Sequence, residues 1–214
     1  MAEGVSPPPP APGSAPARLT DRKRAAILDA AVEEFATSGF DTTSMDRIAE
    51  RAGVSKRTVY NHFQSKDALF EAIVQELIAQ TEALPDFPYE ADRDLAEQLA
   101  DYCAKVAELI TSESFQGLVR VSLSRFLRTP QLARDTIGDE KRFMARLIQW
   151  VEQATADGRL ETGSAEFAAN QLCALIEGFM LWPPIFGLGP NPGPDDRSRI
   201  ISSAVAMFLD HYRP

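Results

Sequence analysis

The chain has 214 residues, 44% of them hydrophobic and 25% charged, and a formal net charge of −9; this is apolar material for one large globular domain or two small ones. No apolar run approaches the roughly 20 residues a membrane span needs, and the N-terminus lacks the apolar stretch of a secretory signal, so a cytoplasmic address is expected. The two cysteines, Cys103 and Cys173, form no CxxC pair and sit in apolar, helix-like stretches, which favours buried thiols over a disulfide or redox switch.

The negative total argues at first against a nucleic-acid partner, but it is unevenly spread. Residues 18–66 hold nine Lys/Arg against seven Asp/Glu, a net of +2, whereas residues 67–214 hold thirteen against twenty-three, a net of −10. A mildly basic first quarter ahead of an acidic remainder fits a small nucleic-acid module attached to a domain with another task.

In chain order, residues 1–17 are dominated by Pro, Ala, Gly and Ser and include the run Pro7 to Pro10. They read as a disordered arm, either a plain flexible extension or a minor-groove arm fed by Arg18, Arg22, Lys23 and Arg24. Thr20 and Asp21 can cap a first helix with Ile27, Leu28, Ala31 and Phe35 inward, stopped at Gly39. Thr43, with Asp46 three residues on, resembles a capping box opening a short helix that turns Met45, Ile48, Ala49 and Ala52 inward. Gly53 supplies a tight turn, and Ser55 caps a second short helix. Two short helices joined through Ala52-Gly53-Val54 are what a helix-turn-helix requires.

On that second helix Val59 and Phe63, one turn apart, can face the core with Val54. Lys56, Arg57, Tyr60 and Asn61 are left outward, a donor-rich surface suited to a major groove. Ser55 and Thr58 can offer hydroxyls to phosphate near the helix start, where free amides and the dipole already favour anions. Lys66, just after the cap residue Ser65, places a cation at the foot of a fourth helix.

The stretch from Thr43 to Ser55, with Thr58-Val59-Tyr60-Asn61-His62-Phe63-Gln64-Ser65-Lys66-Asp67-Ala68-Leu69, closely resembles the DNA-binding signature of the tetracycline-repressor (TetR) family. The likeness spans roughly residues 22–77. It implies base-reading positions at Lys56 and Arg57, with Tyr60 between base and backbone contact. It also implies that Thr43, Ser55, Thr58, Asn61, His62 and Lys66 meet phosphate or fix the reading helix. Many members carry a small residue where this chain has Arg57, which can reach guanine or lie along the backbone.

After Ala83, the segment Leu84-Pro85-Asp86-Phe87-Pro88 breaks the fourth helix and marks a domain boundary. The expected division is a helix-turn-helix domain over 18–66, a connecting helix over 67–84, and a sensing and dimerisation domain over 85–214. Helical periodicity resumes through Leu95, Leu99, Tyr102, Val106 and Leu109, then Phe115, Leu118, Val119 and Phe126. It continues in a helix with Phe143, Leu147 and Val151 that ends near Gly158. Two final helices carry Phe167, Leu172, Ile176 and Phe179, then Ile200, Val205, Phe208 and Leu209. The expected fold is all-α, a three-helix DNA-binding domain followed by a helical bundle.

Members of the family pair through their last two helices, which makes these the expected homodimer surface. The small residues Ala165, Ala168, Ala169, Ala174, Ser202, Ser203, Ala204 and Ala206 permit close approach there, although a purely intramolecular core would use them as well. Leu181-Trp182-Pro183-Pro184-Ile185-Phe186-Gly187, with the preceding Glu177-Gly178-Phe179, is similar to AefR-like members. Phe115, Phe126, Trp150, Phe179 and Trp182 are candidate linings for an apolar or amphipathic ligand, although aromatics at helical spacing also serve as ordinary core. The expected function is a dimeric regulator, a repressor released from an inverted-repeat operator by a small molecule. A constitutive repressor or an activator whose second domain only dimerises is the alternative. No cofactor, metal site or enzyme is expected: of the two histidines, His62 lies in the DNA-binding helix and His211, close to the last residue, has no evident nucleophile beside it, and no Gly-rich phosphate loop, HExxH or nucleophile elbow occurs.

Overall fold

The computed structural model describes residues 14–137 and 143–214; the first thirteen residues of the expected arm lie outside that range. The described residues form eleven helices and no strand. The chain divides into two compact units, 1–69 and 70–214. No helix among the described residues is long and apolar enough to cross a membrane.

Unit 1 contains α1 (Ser14–Ser38), α2 (Met45–Arg51), α3 (Lys56–His62) and the start of α4 (Lys66–Glu82). On α1 the expected stripe is buried, Ile27 and Ala31 completely and Leu28 and Phe35 nearly so. Gly39 ends it at φ +81°, a conformation in which a Cβ is strained. The start differs from expectation. Thr20 and Asp21 lie inside α1, which already begins at Ser14; Pro16 falls in the first turn, where its missing N–H breaks no helical hydrogen bond.

Unit 2 takes in the rest of α4 with α5 (Leu95–Ile110), α6 (Glu113–Phe126), α7 (Pro130–Ile137), α8 (Ala145–Ala156), α9 (Ala165–Met180), α10 (Trp182–Ile185) and α11 (Pro194–Tyr212). Asp94, Ser112 and Ser164 cap α5, α6 and α9 by accepting from first-turn amides. The core gathers Leu99, Leu147, Trp150, Leu172, Ile176 and Phe208 from four of these helices. The segment between α4 and α5 is pinned by Gln98, which is 1% exposed. Its Nε2 donates to Glu90 O at 2.8 Å and Arg93 O at 3.0 Å, and its Oε1 accepts from Glu90 N at 2.9 Å and from Trp150 Nε1 at 3.0 Å.

Two stretches read differently from expectation. α8 starts at Ala145, so Phe143 precedes it. α7, over a segment with no buried residue, lies between α6 and α8. Within the apolar segment after α9, Trp182–Ile185 forms the single turn α10. The Pro/Gly loop that follows is tied down by Asn191, which accepts from Gln116 Nε2 at 2.7 Å and donates to Thr111 O at 2.9 Å. Cys103 is buried and Cys173 half-buried; both are free, and burial pushes each thiol up to about 12, leaving it protonated and unreactive.

Candidate nucleic-acid interface

The α2–α3 pair is built from local chemistry. Ser44 caps α2, its side chain accepting from Arg47 N at 3.3 Å. The expected cap, Thr43, is instead 2% exposed, and its hydroxyl sits 2.8 Å from Gly39 O and 3.1 Å from Glu34 O, to one of which it donates. With its single proton spent inside the protein, Thr43 braces the α1–α2 loop. Gly53 turns the chain at φ +64° with open space where a Cβ would stand. Ser55 then caps α3, accepting from Thr58 N at 3.1 Å with Thr58 Oγ1 at 2.9 Å. Val59 is fully buried and Phe63 nearly so; Arg24 of α1 stacks its guanidinium 5.3 Å from the Phe63 ring centroid.

One strong feature was not foreseen. Glu34 is a buried carboxylate reached by two arginines one turn apart on α2: Arg51 Nε at 2.7 Å and NH2 at 2.6 Å from Oε1, and Arg47 NH2 at 3.0 Å from Oε2. Arg47 lies outside good hydrogen-bond geometry to Oε2, so its part is chiefly ionic. Arg51 also reaches Glu33 at 2.8 Å, and these carboxylates, Glu34 first, raise the Arg51 pKa. The clamp fixes the rotation of α2 against α1, and hence the seat from which α3 projects. The only sequence signal was the i, i+4 spacing of Arg47 and Arg51 opposite paired glutamates on α1.

Lys56, Arg57, Tyr60 and Asn61 are all exposed, Tyr60 at 50% despite its size. Lys56 ion-pairs with Asp46 of α2, so a carboxylate already accompanies one of the two cations. Ser55 is exposed, whereas Thr58, His62 and Lys66 are half-buried. Lys66 is the most committed of the set. Its Nζ donates to Phe40 O at 2.7 Å and Asp41 O at 3.0 Å, and stands 4.7 Å from the Phe40 ring centroid. With two of its three protons used on the α1–α2 loop, Lys66 is a structural tie as well as a cation.

The five candidate lining aromatics do not converge on one cavity. Trp150 is fully buried, stacked 5.5 Å from Phe87, and spends its indole N–H on Gln98. Phe115 is core, and Phe126 meets Phe70 edge-on at 5.8 Å. Phe179 borders an open cavity of about 770 Å³ between α9 and α11, and Trp182 a different one of about 590 Å³ bounded by α7, α9 and α10. The small residues expected at a paired surface also divide. Ala168, Ala169 and Ala204 are buried in this chain's own core, and Ala174, Ser202, Ser203 and Ala206 are exposed.

Residues 27–73 match the family described as bacterial regulatory proteins, tetR family, and residues 97–214 match the AefR-like transcriptional repressor, C-terminal domain. The transcriptional regulator UidR of Escherichia coli K12 is 36% identical over 114 residues, which is 51% of this chain and 55% of UidR. The chain thus spans about half the length of that curated relative. Among solved structures, a TetR family regulator from Pseudomonas syringae pv. tomato DC3000 is 38% identical, with a TM-score of 0.76 over 91% of this chain and 98% of that one. The flavonoid-responsive regulator FrrA is 32% identical, with a TM-score of 0.68 over the same shares. A helix-turn-helix with an exposed donor-rich second helix, joined to an all-helical domain that matches over more than half the chain, makes this protein a member of the TetR family of DNA-binding transcriptional regulators, with an AefR-like C-terminal domain.

Proposed function

We propose that the chain acts as a homodimer whose two α3 helices read an inverted-repeat operator, and that it represses until a small apolar or amphipathic ligand in unit 2 releases it. The observation that carries the DNA reading is the outward face of α3. Lys56, Arg57, Tyr60 and Asn61 project from a helix locked from behind by buried Val59 and Phe63, so the donors are held rigidly where base edges would lie. Ser55 and Thr58 stand at the start of α3, where a phosphate would sit, and a cytoplasmic address follows from a chromosomal target.

A single reading helix touches too few base pairs for useful selectivity, which calls for a pair. Support for the pairing surface comes from α9 and α11, which leave Phe167 62%, Phe179 61% and Met207 58% exposed, a load of apolar surface that favours a partner. The open cavities of unit 2 and the responsiveness named for FrrA support the ligand arm. The scattering of the expected pocket aromatics keeps a second reading, a regulator whose unit 2 only dimerises. Sedimentation of the full chain with labelled operator separates dimeric from monomeric binding: two chains per site are expected, and one chain per tight site overturns the dimer. Loss of operator affinity on adding a ligand that binds unit 2 favours the first reading over the second.

A further inference from the structure

The cavity of about 590 Å³ is bounded by α7, α9, α10 and the residues just before α8, a size typical of small-molecule sites. Its walls are apolar at Ile137, Phe143, Met144 and Trp182. Asn170, Cys173, Ala174 and Glu177 recur at three- and four-residue steps along α9 and present one face of that helix to it. Glu177 stands out because it is half-buried and has no hydrogen bond or ion pair among the described residues. Burial pushes its carboxyl above the usual range, and no cation among the described residues pulls it back.

Among the described residues the other charged group on the wall is Arg134, which is exposed and turned to Gln131, whose Oε1 accepts from its Nε at 3.2 Å and its NH2 at 2.8 Å. The carboxyl therefore lies deeper than the guanidinium. A carboxyl withdrawn from water without a partner carries an uncompensated desolvation cost, and a cation bound in the cavity would remove that cost. Trp182 adds an indole to the same lining, an aromatic suited to a cation, and residues 67–214 carry a net −10 that biases the surroundings toward cations.

Building on the ligand-released reading above, we propose that the effector of this protein is a protonated amine on an aromatic or aliphatic body, its ammonium held by Glu177 and its body by Phe143, Met144 and Trp182. Anionic effectors are disfavoured at this site by the same carboxylate.

The test uses three probes of one shape and different charge: naphthylmethylamine, naphthylmethanol and naphthoate, each titrated calorimetrically into the full chain. The amine should bind at least about tenfold more tightly than the alcohol, with naphthoate weakest. Glu177→Gln should bring the amine to within about twofold of the alcohol, whereas Glu177→Asp, which keeps the charge, should retain the order. Unchanged alcohol binding by both variants guards against misfolding. An alcohol or naphthoate as tight as the amine, a preference that survives Glu177→Gln, or no binding by any probe overturns the proposal. Operator affinity measured with each probe keeps the two readings apart. Glu177-dependent amine binding without any effect on operator leaves this site standing and removes ligand-controlled release. Operator release that is indifferent to probe charge and to Glu177 does the reverse.

Discussion

Residues of the DNA-facing unit divide by what their polar atoms are already doing. Arg57 has its donors on an exposed face, and if it reads a base, Arg57→Ala should lose about 1–3 kcal/mol on the specific site and relax preference at one position. Lys66 is different, because its ammonium holds two carbonyls of the α1–α2 loop. Lys66→Ala should weaken binding to all sequences about equally and lower the salt slope by roughly one unit. It should also lower the melting temperature, which Arg57→Ala leaves unchanged; titration at several salt concentrations and a thermal melt separate the two. Glu34 makes a third case. Its carboxylate is buried between α1 and α2 while its arginines are partly exposed, so removing it leaves Arg47 to solvent and Arg51 with Glu33 alone. Glu34→Ala should therefore cost about 2 kcal/mol of stability, chiefly through lost charged hydrogen bonds, and denaturant unfolding of the full chain measures it. A melt indistinguishable from the parent would show that the clamp does not set the stability of the unit.

Elements whose start and stop signals are local were legible in advance. Gly39, Gly53 and Ser55 ended, turned and capped as read, because a positive φ and a side-chain cap depend on a few adjacent residues. Gly53→Ala meets no neighbour, so its cost is the backbone strain alone, about 1–2 kcal/mol, visible as a lower denaturation midpoint. A neutral substitution would mean that the turn relaxes. What sequence periodicity could not decide was which neighbour a stripe faces. Trp150 and Phe179 have the same spacing signature, yet one is sealed in the core by Gln98 and the other lies 61% exposed. Ala169 and Ala174 stand on one helix, but only Ala174 faces out. The burial of Glu34 and Glu177 has no signal in the sequence, because burial of a carboxylate is a tertiary property with no local pattern. The consequence for assembly is concrete: Ala174→Glu together with Met207→Glu should split the dimer and abolish specific DNA binding while each chain stays folded. A charge at Ala169 should unfold unit 2 instead. Sedimentation and circular dichroism distinguish these outcomes, and a doubly charged variant that remains dimeric would exclude α9 and α11 as the pairing surface.

At the scale of the whole molecule, the proposed regulator needs a connection between ligand and operator, and α4 is the element placed to provide it. It is one unbroken helix of 17 residues, with Lys66 bonded to the α1–α2 loop at one end. Further along, Phe70 packs edge-on against Phe126 with the Arg125 guanidinium 4.5 Å from its ring centroid. If ligand binding lowers operator affinity tenfold, the ligand must prefer the non-binding state by about 1.4 kcal/mol, and operator must weaken ligand binding by the same factor. Whether paired α3 helices read DNA through their outward face is decided by selecting bound sequences from a random pool with the parent protein and with Arg57→Ala. The parent should recover an inverted repeat, with half-site centres about 34–36 Å apart or a multiple of that. The variant should recover the same repeat with preference relaxed at one base pair in each half. Recovery of a lone half-site by the parent, or an identical pattern from both proteins, would contradict reading by paired α3 helices.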